Sequence, residues 1–213
     1  MRTSAVASGK LLVGVLLAAT LASLPVLSVG CARAARIRPL AADAVVLAFG
    51  DSLTAGYGAE MGQDYPSVLA KLSGWQVVNA GVSGELSAAG LARLPGVLED
   101  HRPALVLLCH GGNDILADSS GASIAANLDS MIRLCREAGA EVVLLAVPRR
   151  GLRLKAAPLY AEVAKRNGVP LVADVVAEVL SKNALKSDYV HPNAAGYARI
   201  AEAVWRELQR AQR

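Results

Sequence analysis

The chain has 213 residues, of which 54% are hydrophobic and only 4% are aromatic, and its formal net charge is +4. This length is sufficient for one α/β domain with a substantial core, and the composition excludes a disordered chain. No basic stripe alternates with aromatic residues, which argues against nucleic-acid binding.

The first 30 residues have the pattern of an export signal. Two basic residues precede an apolar run over 11–27, and small residues follow it. Cys31, after Val29-Gly30, resembles the end of a bacterial lipobox, in which the cysteine is lipidated and becomes the new N terminus. Three alternatives stay open: a lipoprotein tethered through Cys31, a soluble exported protein, and an uncleaved N-terminal anchor. In each case we expect an exported protein, either periplasmic or anchored to the membrane.

From residue 44 onward, apolar runs alternate with amphipathic segments. This alternation predicts βαβ units and therefore a parallel sheet with helices on both faces. Pro95 is expected near a bend or an end of its helix. The predicted strands cover 44–49, 75–79, 104–109, 141–147 and 171–173, and the predicted helices cover 65–72, 87–100, 124–138, 159–167, 175–180 and 193–209.

We find no internal repeat and no sign of a second globular domain. The chain therefore divides into a signal peptide or N-terminal membrane segment (1–30), a linker (31–43) and one domain (44–213).

The first three predicted strands each end in a glycine-rich turn that carries polar side chains. Gly50-Asp51-Ser52-Leu53 follows the first strand, Asn79-Ala80-Gly81 ends the second, and Gly111-Gly112-Asn113-Asp114 follows the third. The carboxyl ends of parallel strands face one crevice, so Ser52, Gly81 and Asn113 are expected to converge there. Ser52 is a candidate nucleophile, provided that a base activates it.

The chain has three histidines that could supply this base. His101 is expected to be solvated, whereas His110 follows the third strand and could line the crevice. His191 lies just before the last predicted helix, and Asp188 precedes it by three residues, a spacing at which a carboxylate can orient an imidazole. By themselves these residues fit a catalytic base and a histidine near a helix start equally well.

Taken together, the three turns and the Asp188-Tyr189-Val190-His191-Pro192 segment resemble the four sequence blocks of the GDSL, or SGNH, hydrolase family. The stretch Gly90–Pro95 is similar to the branch that contains thioesterase I/lysophospholipase L1 and arylesterases, and the resemblance covers Val45 to the C terminus. It implies a flavodoxin-like, three-layer αβα SGNH-hydrolase fold with a five-stranded parallel sheet in the order 2-1-3-4-5.

The resemblance also implies a serine esterase or lipase of the lysophospholipase, arylesterase or thioesterase type. Ser52 would be the nucleophile, His191 the general base and Asp188 the residue that orients the base. The N–H groups of Ser52 and Gly81 and the side-chain amide of Asn113 would form the oxyanion hole. No cofactor or metal is implied, and we expect a monomer that acts on a small acyl ester or a lysophospholipid. The alternatives are a carbohydrate O-acetyl esterase with the same triad and a catalytically silent envelope lipoprotein that binds a ligand.

Residues near the turns allow two interpretations of the substrate site. Leu53, Leu86, Ile115 and Leu116 could line an acyl groove or belong to the core. Arg149-Arg150, after the fourth predicted strand, could meet a phosphate head group or lie in a solvated loop.

Two pairs of residues are expected to be structural. Asp51 should brace its turn and Asp114 should cap a helix or a loop. Export permits a disulfide between Cys109 and Cys135, but two buried thiols are the interpretation that we favour.

Overall fold

The structure is a computed structural model that describes Met1, Thr3, Ser4 and residues 35–213. Cys31 and nearly all of the 1–30 segment lie outside the described residues, so the export and lipidation predictions stay predictions. Among the described residues, no helix is both long enough and apolar enough to cross a membrane.

Residues 35–43 form no helix or strand, but they contact the last helix of the domain. The Ile37 N–H donates to the Ala211 carbonyl at 3.1 Å, and the Leu40 N–H donates to the Gln212 side chain at 2.9 Å. This entry segment therefore lies beside the C-terminal end of the chain.

Strands and helices alternate along residues 44–213. The strands are β1 (Val45–Gly50), β2 (Gln76–Gly81), β3 (Leu105–Cys109), β4 (Glu141–Leu145), β5 (Pro148–Arg149), β6 (Lys155–Ala156) and β7 (Leu171–Val172). The helices are α1 (Ser52–Ala55), α2 (Tyr65–Ser73), α3 (Ser87–His101), α4 (Gly112–Leu116), α5 (Gly121–Glu137), α6 (Pro158–Asn167), α7 (Val175–Leu180) and α8 (Ala194–Ala211), and one 3₁₀ turn covers Asn183–Leu185.

Five of these strands form one parallel sheet in the order β2-β1-β3-β4-β7. Since β7 is the fifth strand of this sheet along the chain, the predicted order 2-1-3-4-5 is confirmed. Helices α2 and α7 pack against α8, and α3 and α6 pack against α5, which gives a helical layer on each face. The central strands are accordingly buried on both faces and read as continuous apolar runs.

The structure differs from the predicted elements mainly where the elements are short. Helix α3 does not end at Pro95 but continues to His101, although the proline cannot donate to the carbonyl four residues earlier. The fourth strand stops at Leu145, and the chain then forms a small antiparallel hairpin from β5 and β6. Elements of two to five residues, such as α1, α4, β5 and β6, are too short to produce a periodic signal.

Candidate active site

Ser52 lies at the carboxyl end of β1, where the strand turns directly into α1. Gly50 has no room for a side chain at this turn, because an added Cβ would lie 2.4 Å from the Cys109 carbonyl oxygen. Asp51 caps the helix, and its Oδ1 accepts a hydrogen bond of 3.0 Å from the Leu53 N–H. The turn-bracing role predicted for Asp51 is thus confirmed, and Ser52 is held at the sheet edge with 8% of its surface exposed.

His191 lies in the loop that leads into α8, and hydrogen bonds on both sides fix this loop. The Ser187 N–H donates to the His191 carbonyl at 2.9 Å, and Asn193 caps α8 through the Gly196 N–H at 3.1 Å. Asp188 Oδ1 accepts from the backbone N–H of His191 at 2.8 Å, while its Oδ2 lies 2.8 Å from His191 Nδ1. One carboxylate therefore both shapes the loop and orients the ring.

The remaining ring nitrogen of His191 faces Ser52. His191 Nε2 lies 3.0 Å from Ser52 Oγ, and the Tyr57 ring is tilted against the imidazole with a centroid distance of 4.4 Å. Ser52, His191 and Asp188 thus form a continuous line of hydrogen-bonded side chains. This is the arrangement in which a serine can pass its proton to a histidine that a carboxylate orients.

The environment of Asp188 favours its charged form. Partial burial of the carboxyl opposes ionisation, but the hydrogen bonds from the His191 ring and from the Val190 and His191 N–H groups together lower its pKa. Asp188 is therefore an anion at neutral pH, and it can stabilise a proton on the neighbouring imidazole.

Asn113 lies in α4, beside the same crevice. Its Nδ2 donates one hydrogen bond of 3.0 Å to the backbone carbonyl of Glu85, in the loop after β2. A side-chain amide carries two N–H donors, so one remains available to a ligand in the crevice that Asn113 lines.

Gly81 does not present a free N–H group to this crevice. It is the last residue of β2, and its N–H donates to Asn79 Oδ1 at 3.0 Å. A Cβ at Gly81 would lie 2.1 Å from the Ala55 backbone nitrogen, so the glycine is required for close packing of β2 against α1.

The second glycine of the same block, Gly84, differs from Gly81 in its backbone angle and in the availability of its N–H group. Its φ is +79°, and among residues 35–213 its N–H has no hydrogen-bond partner. The backbone carbonyl of the next residue, Glu85, accepts a hydrogen bond from the Asn113 side-chain amide, which places this loop beside Asn113. The sequence block contains both glycines at a spacing of three, and nothing in the residue pattern distinguishes them.

An open cleft extends from Ser52, and most of its lining is apolar. Leu53, Ile115 and Leu116 line it, whereas Leu86 does not and instead precedes α3 as a partly exposed residue. The cleft is completed by Val147, Pro148, Arg149, Arg150, Leu154, Leu180, Tyr189 and Val190. The predicted acyl groove therefore corresponds to an apolar surface next to the candidate nucleophile.

His110 does not line the crevice, although its position after the third strand allowed that interpretation. Its side chain is completely buried. Its ring lies 5.1 Å from the Phe49 ring, and its Nε2 lies 3.2 Å from a Glu85 carboxylate oxygen. Burial lowers the pKa of His110 to about 4. The Glu85 carboxylate accepts two hydrogen bonds from the Arg93 guanidinium, at 2.9 and 2.8 Å, which fixes the segment that holds Asn113.

Asp114, Cys109 and Cys135 were also expected to be structural, and their contacts agree with that expectation. Asp114 accepts hydrogen bonds from the Ser87 N–H at 2.8 Å and the Ser87 hydroxyl at 2.6 Å, so it holds the start of α3. Cys109 and Cys135 are buried and are not bonded to each other, which confirms the buried-thiol interpretation. Within the described residues, no group of three or more His, Cys, Asp or Glu side chains could hold a metal ion.

Burial raises the pKa of Asp51 to about 7, although hydrogen bonds from the Leu53 and Gly112 N–H groups oppose the rise. Between pH about 4 and about 7, the folded protein therefore keeps a proton on Asp51 that the unfolded chain has already released. Stability contributed by this proton is therefore lost as the pH rises through that interval.

We expect Asp51→Asn to remove this pH dependence. Asparagine keeps an acceptor for Leu53 but cannot ionise, so the variant should gain stability relative to wild type between pH 5 and pH 8 by at most about 3 kcal/mol. Urea unfolding of both proteins at the two pH values measures the change. A stability difference that does not vary with pH would contradict the assignment.

Comparison with known proteins is consistent with this site. The sequence profile described as "GDSL-like Lipase/Acylhydrolase family" matches residues 48–199. The chain is 35% identical over 191 residues to Esterase TesA of Pseudomonas aeruginosa, covering 84% of this chain and 95% of the relative. It is 35% identical to Thioesterase 1/protease 1/lysophospholipase L1 of Escherichia coli K12, covering 81% and 86%. A crystal structure of TesA superposes with a TM-score of 0.71 and 32% identity, covering 78% of this chain and 99% of the other.

Proposed function

This chain belongs to the GDSL-like lipase/acylhydrolase family of ester-hydrolysing enzymes, and within that family we propose that it is a serine esterase of carboxylic acyl esters. The observation that carries the proposal is the hydrogen-bonded line Ser52–His191–Asp188, which ends in an apolar cleft. Serine nucleophiles activated in this way form acyl-enzyme intermediates.

In the proposed reaction, Ser52 Oγ attacks the ester carbonyl while His191 Nε2, at 3.0 Å, takes the hydroxyl proton. The tetrahedral intermediate collapses, and the same nitrogen returns the proton to the departing alcohol. Water then repeats the sequence on the acyl-enzyme and releases the acid. Asp188 keeps Nδ1 protonated and stabilises the imidazolium that forms at each step.

The proposed oxyanion hole combines the Ser52 N–H with the free N–H of the Asn113 amide. Gly81 is the less suitable third donor because its N–H already donates to Asn79. The unpaired N–H of Gly84 fits the requirement better, since oxyanion donors must be in place before the reaction begins.

The lining of the cleft favours an acyl chain over a sugar. Leu53, Ile115, Leu116 and Leu154 offer contacts to a hydrocarbon but no hydrogen bonds to hydroxyl groups. The related proteins are named as esterase and as thioesterase/lysophospholipase. We therefore propose an acyl ester or thioester substrate rather than an O-acetylated carbohydrate.

A fluorophosphonate probe tests the proposal directly. The wild-type protein should be labelled at Ser52 in an equimolar ratio, and Ser52→Ala should not be labelled. Ser123→Ala, which removes an exposed hydroxyl in the first turn of α5, is the matched control and should be labelled normally. Absence of labelling in a folded wild-type protein would refute the serine mechanism, and rates on p-nitrophenyl esters of increasing length would identify the acyl preference.

We also propose that the protein is exported and tethered through Cys31. The apolar run over 11–27 and Val29-Gly30 before the cysteine support this proposal. Full-length protein expressed in a bacterium should incorporate labelled palmitate, and Cys31→Ser should abolish both incorporation and sedimentation with membranes. Unchanged labelling in Cys31→Ser would exclude lipidation at this residue.

A further inference from the structure

The hairpin formed by β5 and β6 has an unusual composition for a solvent-exposed turn. Residues 148–156, here called the cationic hairpin, contain four basic residues and no acidic residue. Leu152, near the middle of the turn, is fully exposed. Of the four cations, only Arg150 has a carboxylate partner among residues 35–213, namely Asp118 at 2.8 Å.

The cationic hairpin stands at the mouth of the apolar cleft. Its two ends contribute lining residues to the cleft, whereas Leu152 and Arg153 at the turn do not. Arg150 also donates to the Leu116 carbonyl, so the hairpin is joined to the end of α4 across the cleft. The turn is therefore fixed beside the route by which an acyl chain would enter.

Exposed apolar side chains accompany the hairpin at this mouth. Tyr189 is 91% exposed and Leu116 is 41% exposed, and both line the cleft. A leucine flanked by cations, with a tyrosine nearby, suits the boundary between charged head groups and acyl chains. There the cations meet anionic phosphates and the apolar groups leave water.

We propose that the cationic hairpin binds the surface of a bilayer that contains anionic phospholipid, with Leu152 inserted at the acyl-chain boundary. The charge complementarity between lipid phosphates and the three hairpin cations that have no carboxylate partner among residues 35–213 favours this partner over an apolar protein surface. Binding in this orientation turns the cleft toward the lipid, so an acyl chain enters without crossing bulk water. The proposal concerns where the enzyme acts and does not depend on the catalytic assignment.

Insertion is tested in the full-length chain by Leu152→Trp. With vesicles of equal parts phosphatidylglycerol and brominated phosphatidylcholine, the added tryptophan should shift to the blue and be quenched. The signal of the two native tryptophans is subtracted with the wild-type protein. Leu72→Trp, at a 43% exposed position of α2, is the matched control and should show neither change. All variants share the same N terminus, so a tether elsewhere in the chain cannot produce this local signal.

Charge dependence is tested by Arg153→Gln and Lys155→Gln. Each substitution should lower the partition coefficient onto these vesicles about fivefold, because one basic residue near an anionic surface contributes about 1 kcal/mol. Arg133→Gln, at an exposed position of α5, is the control and should leave partitioning unchanged. Hydrolysis of a water-soluble ester should be normal in all these variants.

An unquenched Leu152→Trp in a vesicle-bound protein, or equal quenching of Leu152→Trp on vesicles that contain no phosphatidylglycerol, would overturn the proposal. These outcomes are independent of the proposed reaction, which the fluorophosphonate experiment tests without lipid.

Discussion

Replacing His191 by alanine should lower kcat for a short-chain ester about 10⁶-fold, the loss found when the base of another serine hydrolase is removed. The reason is geometric, because His191 Nε2 is the only ring nitrogen within the described residues that lies in hydrogen-bond reach of Ser52 Oγ. Without it, the hydroxyl must attack while still carrying its proton. His101→Ala, at the exposed end of α3, is the matched control and should keep full activity.

The proposed roles of Ser52 and His191 lead to a second prediction, which concerns the double variant. Residues that act as one unit are not additive, so Ser52→Ala combined with His191→Ala should be no slower than either single variant. Asp188→Asn should retain more activity, with a loss of about 10⁴-fold, since it leaves the base in place. Stopped assays at high enzyme concentration can measure these residual rates. A double variant far slower than both single variants would mean that the two residues act separately.

Replacing Asn113 by alanine should lower kcat about 10²–10³-fold while KM changes little. The lost amide N–H would stabilise charge that is present only when the carbonyl carbon is tetrahedral, so its removal affects the transition state more than substrate binding. Asn113→Asp should be slower still, because a carboxylate of similar shape has no donor and repels an oxyanion.

The alternative role for Asn113 is structural, since its amide also holds the Glu85 carbonyl. Asn127→Ala provides the matched control, because Asn127 likewise donates a side-chain hydrogen bond, at 2.9 Å to the Ser87 hydroxyl, but does not line the cleft. If Asn113→Ala and Asn127→Ala lose melting temperature and activity in the same proportion, Asn113 serves only the fold. A large fall in kcat at an unchanged melting temperature assigns it to the oxyanion hole.

The parallel sheet was predictable because its central strands are buried on both faces and therefore appear as uninterrupted apolar runs. The contact between Asp188 and His191 was one of two interpretations that a spacing of three within one loop allowed. The approach of His191 to Ser52 is different, because it joins residues 139 positions apart and depends on how the loop before α8 meets the end of β1. Only the resemblance of the four blocks anticipated that contact.

Other features had no signal that sequence patterns could carry. The buried position of His110 depends on Phe49 and Glu85, which come from different strands and loops. The choice between Gly81 and Gly84 depends on a backbone angle and on one hydrogen bond that the Gly81 N–H donates to Asn79. Arg149-Arg150 stood out in the sequence, but the hairpin that contains them was not predicted from it. Its strands have only two residues each, which is too short for a recognisable alternation of apolar and polar residues.

The order of the proposed catalytic residues along the chain has a consequence for biosynthesis. The nucleophile is made first, at residue 52, whereas the base and its carboxylate partner follow much later in one loop, at residues 188 and 191. A nascent chain that has not reached this loop carries the serine without the group that activates it. Hydrolytic activity would therefore require that synthesis has passed residue 191, and lipid in the producing cell is not exposed to an active enzyme before that point.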